Sequence, residues 1–258
     1  MSMSTTYGQT AFIETGIEMY FESQGQGAPL LLLHGFTGSG ADWALVFNSA
    51  PAGYRLIIPD LRGHGRSTNP SAEFTHRQSA RDAFCLLDHL KIERFKAIGM
   101  SAGAKTLLHM ATQQPSRIDA MVLVSAAPYF PPEARAIMAQ MTVDNRTDEE
   151  WRVMRQRHYH GDEQIRALWK QAHAFKDSYE DMNFTPPLLS RISARTLIVH
   201  GDRDPLYPVR MAMELHAAIA RSHLWIVPNG GHGPIFGNQS APFVETALAF
   251  LRGDWQPT

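Results

Sequence analysis

A single cysteine, Cys85, stands among 258 residues, so no internal disulfide can form and the fold needs no oxidising compartment. Net charge is nearly absent: 24 lysines and arginines face 25 aspartates and glutamates, a formal −1. That balance excludes the basic footprint of a nucleic-acid surface or of an anionic-membrane binder. No apolar run approaches the ~18 residues of a membrane-spanning helix. The opening Met1–Thr10 has neither the basic flank nor the apolar stretch of a secretory signal. The expectation is a soluble, cytoplasmic protein acting on a small molecule, with neither nucleic acid nor membrane as partner. Core material is plentiful, with 44% of residues apolar against 19% charged, the balance of an ordinary globular chain.

Short apolar runs recur at wide intervals. Leu30–Leu33, Arg55–Ile58, Phe95–Ile98, Met121–Val124, Thr196–Val199 and Leu224–Val227 read as strands. Most are continuous rather than alternating, as suits strands buried on both faces of a mostly parallel sheet. Ahead of them, Thr10–Ile13 and Ile17–Glu22 are spaced for a hairpin through Glu14-Thr15-Gly16. Helical patterns fall between: His76–Leu90, Ala102–Gln113, Arg210–Ala220 and Ala241–Leu251. Alternating strands and helices predict an α/β architecture. One interval breaks the rhythm. Between Val124 and Thr196 no strand signal appears, and Pro131-Pro132 and Pro186-Pro187 bracket the stretch. From Glu133 to Met182 there are ten acids and eight bases in fifty residues, about twice the charge density of the whole chain. Ile165, Leu168, Trp169, Ala172, Phe175 and Tyr179 follow helical spacing within it. The reading is a helical insertion at 128–190, carried by a core of 1–127 and 191–258.

The sharpest chemical signal is Gly99-Met100-Ser101-Ala102-Gly103, set between a strand and a helix. G-x-S-x-G at such a junction is a nucleophile elbow: the turn is tight enough to need small residues on either side of a raised serine. A serine hydroxyl is a weak nucleophile until a base takes its proton, so a histidine and an acid are expected further along, acid first. Both occur beyond strand ends, in His200-Gly201-Asp202-Arg203-Asp204-Pro205 and in Gly230-Gly231-His232-Gly233. Loops leaving the carboxyl ends of parallel strands converge on one sheet edge. His232 is the candidate base, and Asp204 is preferred to Asp202 as the acid. His34-Gly35-Phe36-Thr37-Gly38-Ser39-Gly40 follows the first buried strand. With Ala102, its Phe36 is placed to offer the two backbone N–H groups that a tetrahedral oxyanion needs.

These motifs, together with Pro59-Asp60-Leu61-Arg62-Gly63-His64-Gly65-Arg66-Ser67, resemble the α/β-hydrolase superfamily, in particular its single-domain serine members with a helical cap. The resemblance runs from about residue 28 to 252. It implies a mostly parallel sheet flanked by helices, a Ser101–His232–Asp204 triad, an oxyanion hole at Phe36 and Ala102, and no cofactor or metal. In that family the acid occupies the fourth position of G-x-x-D, here Asp204. Relatives that carry it one strand earlier would need a carboxylate at Ser125-Ala126-Ala127, where there is none. Relatives that dehalogenate alkanes or open epoxides use aspartate at the elbow; this chain has serine. The implied activity is hydrolysis of a small or medium carboxylic ester. C–C bond hydrolysis, lactone hydrolysis and slow-turnover ligand reception are the alternatives within the fold.

Other residues admit blander readings. Gly99–Thr106 matches the phosphate-binding G-x-x-x-x-G-K-[ST] pattern except at Ala104, and that reading leaves the later aspartate and histidine loops unexplained. Lys105 is then a helix residue whose stem covers apolar surface. His158, His160 and Asp162 read as a solvated helix end rather than a metal set. His34 and His64 read as structural hydrogen-bonders, Cys85 as core and Asp42-Trp43 as a helix cap and anchor. Met100, Tyr129, Phe130 and Trp169 are candidates for the substrate pocket or for core.

Overall fold

The buried runs pair into one sheet in the computed structural model, which describes residues Gly8 to Trp255. Its strands are β1 (Gly8–Ile13), β2 (Ile17–Gly25), β3 (Ala28–Leu33), β4 (Tyr54–Pro59), β5 (Phe95–Met100), β6 (Ile118–Val124), β7 (Arg195–Gly201) and β8 (Ser222–Val227). They lie in the order β1-β2-β4-β3-β5-β6-β7-β8. β1 and β2 form the expected hairpin, and β2 runs antiparallel to β4. From β4 to β8 every pairing is parallel.

Helices cover both faces, so the inner strands are apolar throughout rather than on alternate residues. In β3, Leu31 and Leu33 pack with α1 (His76–His89), α2 (Ala102–Gln113) and α7 (Val209–Ala218). Leu30 and Leu32 face the other way, toward Trp43, Phe47 and the Phe243, Ala247 and Phe250 side of α8 (Ser240–Arg252). The α2 helix lies on the middle of the sheet, buried along its length from Ala102 to Thr112. Asp42 does not start the short 3₁₀ turn at Gly40–Leu45. Ser39 does, and the Asp42 carboxylate reaches back to accept the Ser39 N–H at 3.1 Å. Cys85 is half-buried at the rim of the α1 face.

Between β6 and β7 the chain forms α3 (Pro132–Gln140), α4 (Asp148–Arg157), α5 (Asp162–Ala174) and the short α6 (Pro186–Leu189). The helical spacing read through Tyr179 stops earlier. α5 ends at Ala174, a 3₁₀ turn follows, and Tyr179 is 65% exposed. Arg135 supplies the physical reason: its guanidinium takes the carbonyls of Lys176 and Ser178, which a continuing helix would have kept, and lies 3.8 Å from the Tyr179 ring centre.

The segment Pro59–Ser67 is a structural brace. Asp60 Oδ1 accepts the Gly40 N–H at 2.7 Å and Oδ2 the Arg66 N–H at 2.8 Å. Gly65 has a φ of +53°, and a Cβ there would lie 2.0 Å from Asp60 Oδ2, so both conformation and space require glycine. Arg62 grips Asp82 of α1 through two bonds of 2.6 and 2.9 Å, with both side chains almost fully enclosed. Removing one partner of such a pair strands a buried charge. Arg62→Ala is therefore expected to lower unfolding free energy by about 3–5 kcal/mol. Replacing both members by apolar residues of similar size should cost much less; urea unfolding of the single and double variants tests this.

Candidate active site

Ser101 directly follows β5 and caps α2 with φ 50° and ψ −107°, a conformation non-glycine residues rarely adopt. Its neighbours explain how the turn is held. A Cβ on Gly99 would stand 2.6 Å from the Gly103 carbonyl, and one on Gly103 would stand 2.1 Å from the Leu33 oxygen. Both positions must be glycine for the strand and helix to approach this closely. Ser101 N–H donates to Val124 O at 2.8 Å, tying the elbow to β6.

The later loops arrive where their spacing predicts. Ser101 Oγ donates to His232 Nε2 at 2.8 Å, and His232 Nδ1 donates to Asp204 Oδ2 at 2.8 Å. Asp204 Oδ1 accepts the N–H groups of Leu206 and Tyr207 at 2.8 and 3.1 Å. Burial alone would raise the Asp204 carboxyl, but His232 and those two amides outweigh it and hold the group below the ordinary carboxylate value. Asp202 is exposed and stands apart from this chain of bonds. A further brace was not evident in the sequence: Ser125 Oγ donates to His232 O at 2.7 Å and fixes the histidine loop against β6. The only local hint is its position directly after a buried strand.

The loop after β3 lies against the serine: a Cβ placed on Gly35 would lie 3.7 Å from Ser101 Cβ. The Phe36 N–H has no hydrogen-bond partner among the described residues, and Ala102, first in α2, has no intrahelical acceptor for its own N–H. Both are free to donate at the serine. His34 and His64 hold this loop, as the structural reading expected. His34 Nε2 accepts Leu61 N–H at 2.9 Å, and His64 Nε2 accepts Thr37 N–H at 3.2 Å where Thr37 turns through φ 62°. Burial pushes both imidazoles below their ordinary value, consistent with neutral rings accepting these bonds.

His158 corrects the solvated helix end. It is 2% exposed and links the α4 end to the core loops. Its Nδ1 accepts Gly65 N–H at 2.9 Å and its Nε2 donates to Thr37 O at 3.2 Å. His160 and Asp162 do lie outside, the latter paired with Arg155. Burial lowers the His158 imidazole from 6.5 to about 4. A buried neutral histidine contributes stability that is full above 6.5 and is lost as pH falls toward 4. The shift of 6.5 − 4 corresponds to roughly 3 kcal/mol at most. His158→Gln is expected to flatten stability between pH 7 and pH 4.5 relative to wild type, as read by urea unfolding. Parallel pH profiles would contradict this.

A cavity of about 250 Å³ opens beside Ser101 and His232, walled by Met138, Phe175, Leu206 and Tyr207 among others. Of the four pocket candidates, Met100 borders it. Tyr129, Phe130 and Trp169 do not. Tyr129 bonds Glu214, Phe130 lies in the core against Phe175, and Trp169 packs with Met154, Ile165 and Leu168, edge-on to Trp151. Lys105 also corrects its reading. It is 3% exposed and lines this cavity, one helical turn from Ser101, rather than reaching solvent. A second space of about 280 Å³ shares Gly35, Phe36, Thr37 and Met100 with the first. A larger one of about 380 Å³ lies between Pro70 and α5, away from the serine.

A serine raised on a strand-to-helix turn over a mostly parallel sheet, with histidine and aspartate brought to it by later strand ends, is the architecture of a serine hydrolase fold. The chain belongs to the alpha/beta hydrolase fold family, whose pattern matches residues 28–183; a second, described as TAP-like protein, matches 179–257. Human serine hydrolase BPHL is 30% identical over 225 residues, covering 84% of this chain and 77% of that protein. A 2-hydroxymuconate semialdehyde hydrolase of Pseudomonas is 27% identical over 243 residues, covering 85% and 86%. Among solved structures, a meta-cleavage product hydrolase superposes with a TM-score of 0.79 at 21% identity, over 95% of this chain and 98% of that one. Among the described residues no helix is long and apolar enough to cross a membrane.

Proposed function

We propose that this protein cleaves a small or medium carboxylic ester through an acyl-enzyme on Ser101. The observation that carries the reading is the continuous relay from Ser101 Oγ to His232 to Asp204, each link 2.8 Å. His232 Nε2 takes the hydroxyl proton as Oγ attacks the acyl carbon, and Asp204 stabilises the imidazolium that forms. The carbonyl oxygen becomes an oxyanion received by the Phe36 and Ala102 N–H groups. Collapse expels the alcohol oxygen, which takes the proton from His232. Water then attacks the acyl carbon, giving its proton to His232, and Ser101 leaves with that proton restored while the acid departs.

Residues 128–190 act in this reading as a cap over a core formed by 1–127 and 191–258. Met138 of α3, Ala172 of α5 and the adjoining Phe175 bound the cavity beside the serine, where they exclude water and shape the acyl site. A p-nitrophenyl ester series from acetate to octanoate tests the reading: turnover with a chain-length optimum supports it. The 27% identity with a 2-hydroxymuconate semialdehyde hydrolase favours C–C bond hydrolysis as the second reading. Turnover of dienoate or lactone substrates with none of any ester would establish that reading or lactone hydrolysis instead. A ligand-induced rise in Tm without turnover of either would mark a receptor.

A further inference from the structure

Lys105 is out of place as a mere pocket wall. Lysine is rarely enclosed without a paired charge, yet none of the described carboxylates lies within ion-pair distance of its ammonium. Among the described residues its one hydrogen bond goes to Tyr207 Oη at 2.7 Å, leaving two of three N–H donors unspent. The Phe130 and Tyr207 rings stand 5.1 and 4.8 Å from Nζ and ease the charge only in part. The nearby acids are already engaged. Asp204 holds His232 and two amides, while Asp181 holds His76, His109 and the N–H of Arg77. Burial accordingly drives the Lys105 ammonium down to about 7, with Asp204 and Asp181 opposing the shift.

His76 borders the same cavity, fully buried. Its Nδ1 donates to Asp181 Oδ2 at 2.7 Å, so in the neutral ring Nε2 carries a bare lone pair, and that atom has no partner among the described residues. Burial and the Lys105 charge keep the ring neutral, despite Asp181, at about 4. The cavity wall is otherwise largely apolar, so a strong donor on Lys105, a helical turn from the serine, and an unpartnered acceptor on His76 border the same space. Buried polar groups of this kind are costly unless they are given hydrogen-bond partners.

We infer that Lys105 and His76 form an acid-recognising subsite, in which the Lys105 ammonium binds a carboxylate on the substrate arm beside Ser101 and His76 Nε2 accepts a neighbouring hydroxyl. The substrate class is then an ester or related acyl compound of a hydroxy acid, its free carboxylate held away from the scissile carbonyl. The inference rests on reading Ser101 as the nucleophile, because that fixes which end of the substrate reacts.

Binding to the Ser101→Ala protein tests the subsite without turnover. Calorimetric titration would use succinate, glutarate and adipate, their 2-hydroxy counterparts and the matching neutral diamides. At least one diacid is expected to bind ten-fold or more tightly than its diamide, and its 2-hydroxy form more tightly still. Adding Lys105→Met should weaken the diacid at least ten-fold. Lys105→Gln keeps a donor for Tyr207 without the charge, and should do the same if the methionine variant does not fold. Diacids that bind no better than diamides, or equally well without Lys105, overturn the subsite; equal binding of the 2-hydroxy forms overturns the His76 contact. Fluorophosphonate labelling of wild type is scored separately, so failure of the nucleophile reading shows there and not in the titration.

Discussion

Ser101→Ala lowers kcat on the best ester by about 10⁶-fold, to the level that binding and the oxyanion donors sustain without a nucleophile. The size follows from what is removed. In the proposed mechanism the 2.8 Å contact to His232 is the route by which the serine hydroxyl gives up its proton. Without it, water must attack the carbonyl directly in a single difficult step. The fold should survive. Among the described residues Ser101 Oγ makes no hydrogen bond other than that to His232, and the strained turn depends on its backbone and on Gly99 and Gly103. Circular dichroism and Tm should match wild type within a few degrees. A variant that keeps a tenth of the activity would remove Ser101 from the chemistry.

Asp204→Asn is the second large effect, expected to cost about 10⁴-fold in kcat. An asparagine can offer its N–H to His232 Nδ1 and so favour the tautomer with the proton on Nε2, where it can no longer accept from Ser101. It also removes the charge that stabilises the imidazolium, which the Leu206 and Tyr207 amides now hold ionised. Asp202→Asn is the internal control. Asp202 is exposed and its N–H merely bonds Val227 O, so kcat should stay within about two-fold, as for a surface change away from the site. Steady-state kinetics of the two variants decide between them, and the opposite ranking would reassign the acid.

How much of this was readable beforehand depended on how local the cause was. The elbow was legible because two glycines four residues apart record a close approach between one strand and the helix that follows it. The acid and base were legible because parallel strands deliver their following loops to one edge, and glycine-rich turns mark where each strand stops. Choosing Asp204 over Asp202 drew on the resemblance; in the structure Asp204 Oδ2 is the carboxylate oxygen 2.8 Å from His232 Nδ1. Side-chain direction within the helical segment was not legible. Trp169 and Phe130 are apolar either way, and periodicity cannot say which apolar surface a helix or turn will meet.

The histidines and the lysine failed for a related reason. His76, His109 and Asp181 meet across separations of 72 and 105 residues, and no spacing rule announces such a meeting. His158 looked solvated because arginines and acids surround it in sequence, but its position at the α4 end turns it inward onto Gly65 and Thr37. Lys105 looked amphipathic because lysines on helices usually are. α2, however, is buried from end to end, which leaves its stem no route to water.

The central claim is that Ser101 is a nucleophile activated in place. Fluorophosphonate labelling followed by peptide mapping tests it most directly, since the reagent needs an activated serine and an oxyanion site but no knowledge of the substrate. One phosphonyl group per chain on the peptide holding Ser101, absent in Ser101→Ala and strongly slowed in His232→Ala, is the predicted result. An unlabelled wild-type protein, or a label carried on another residue, would contradict it.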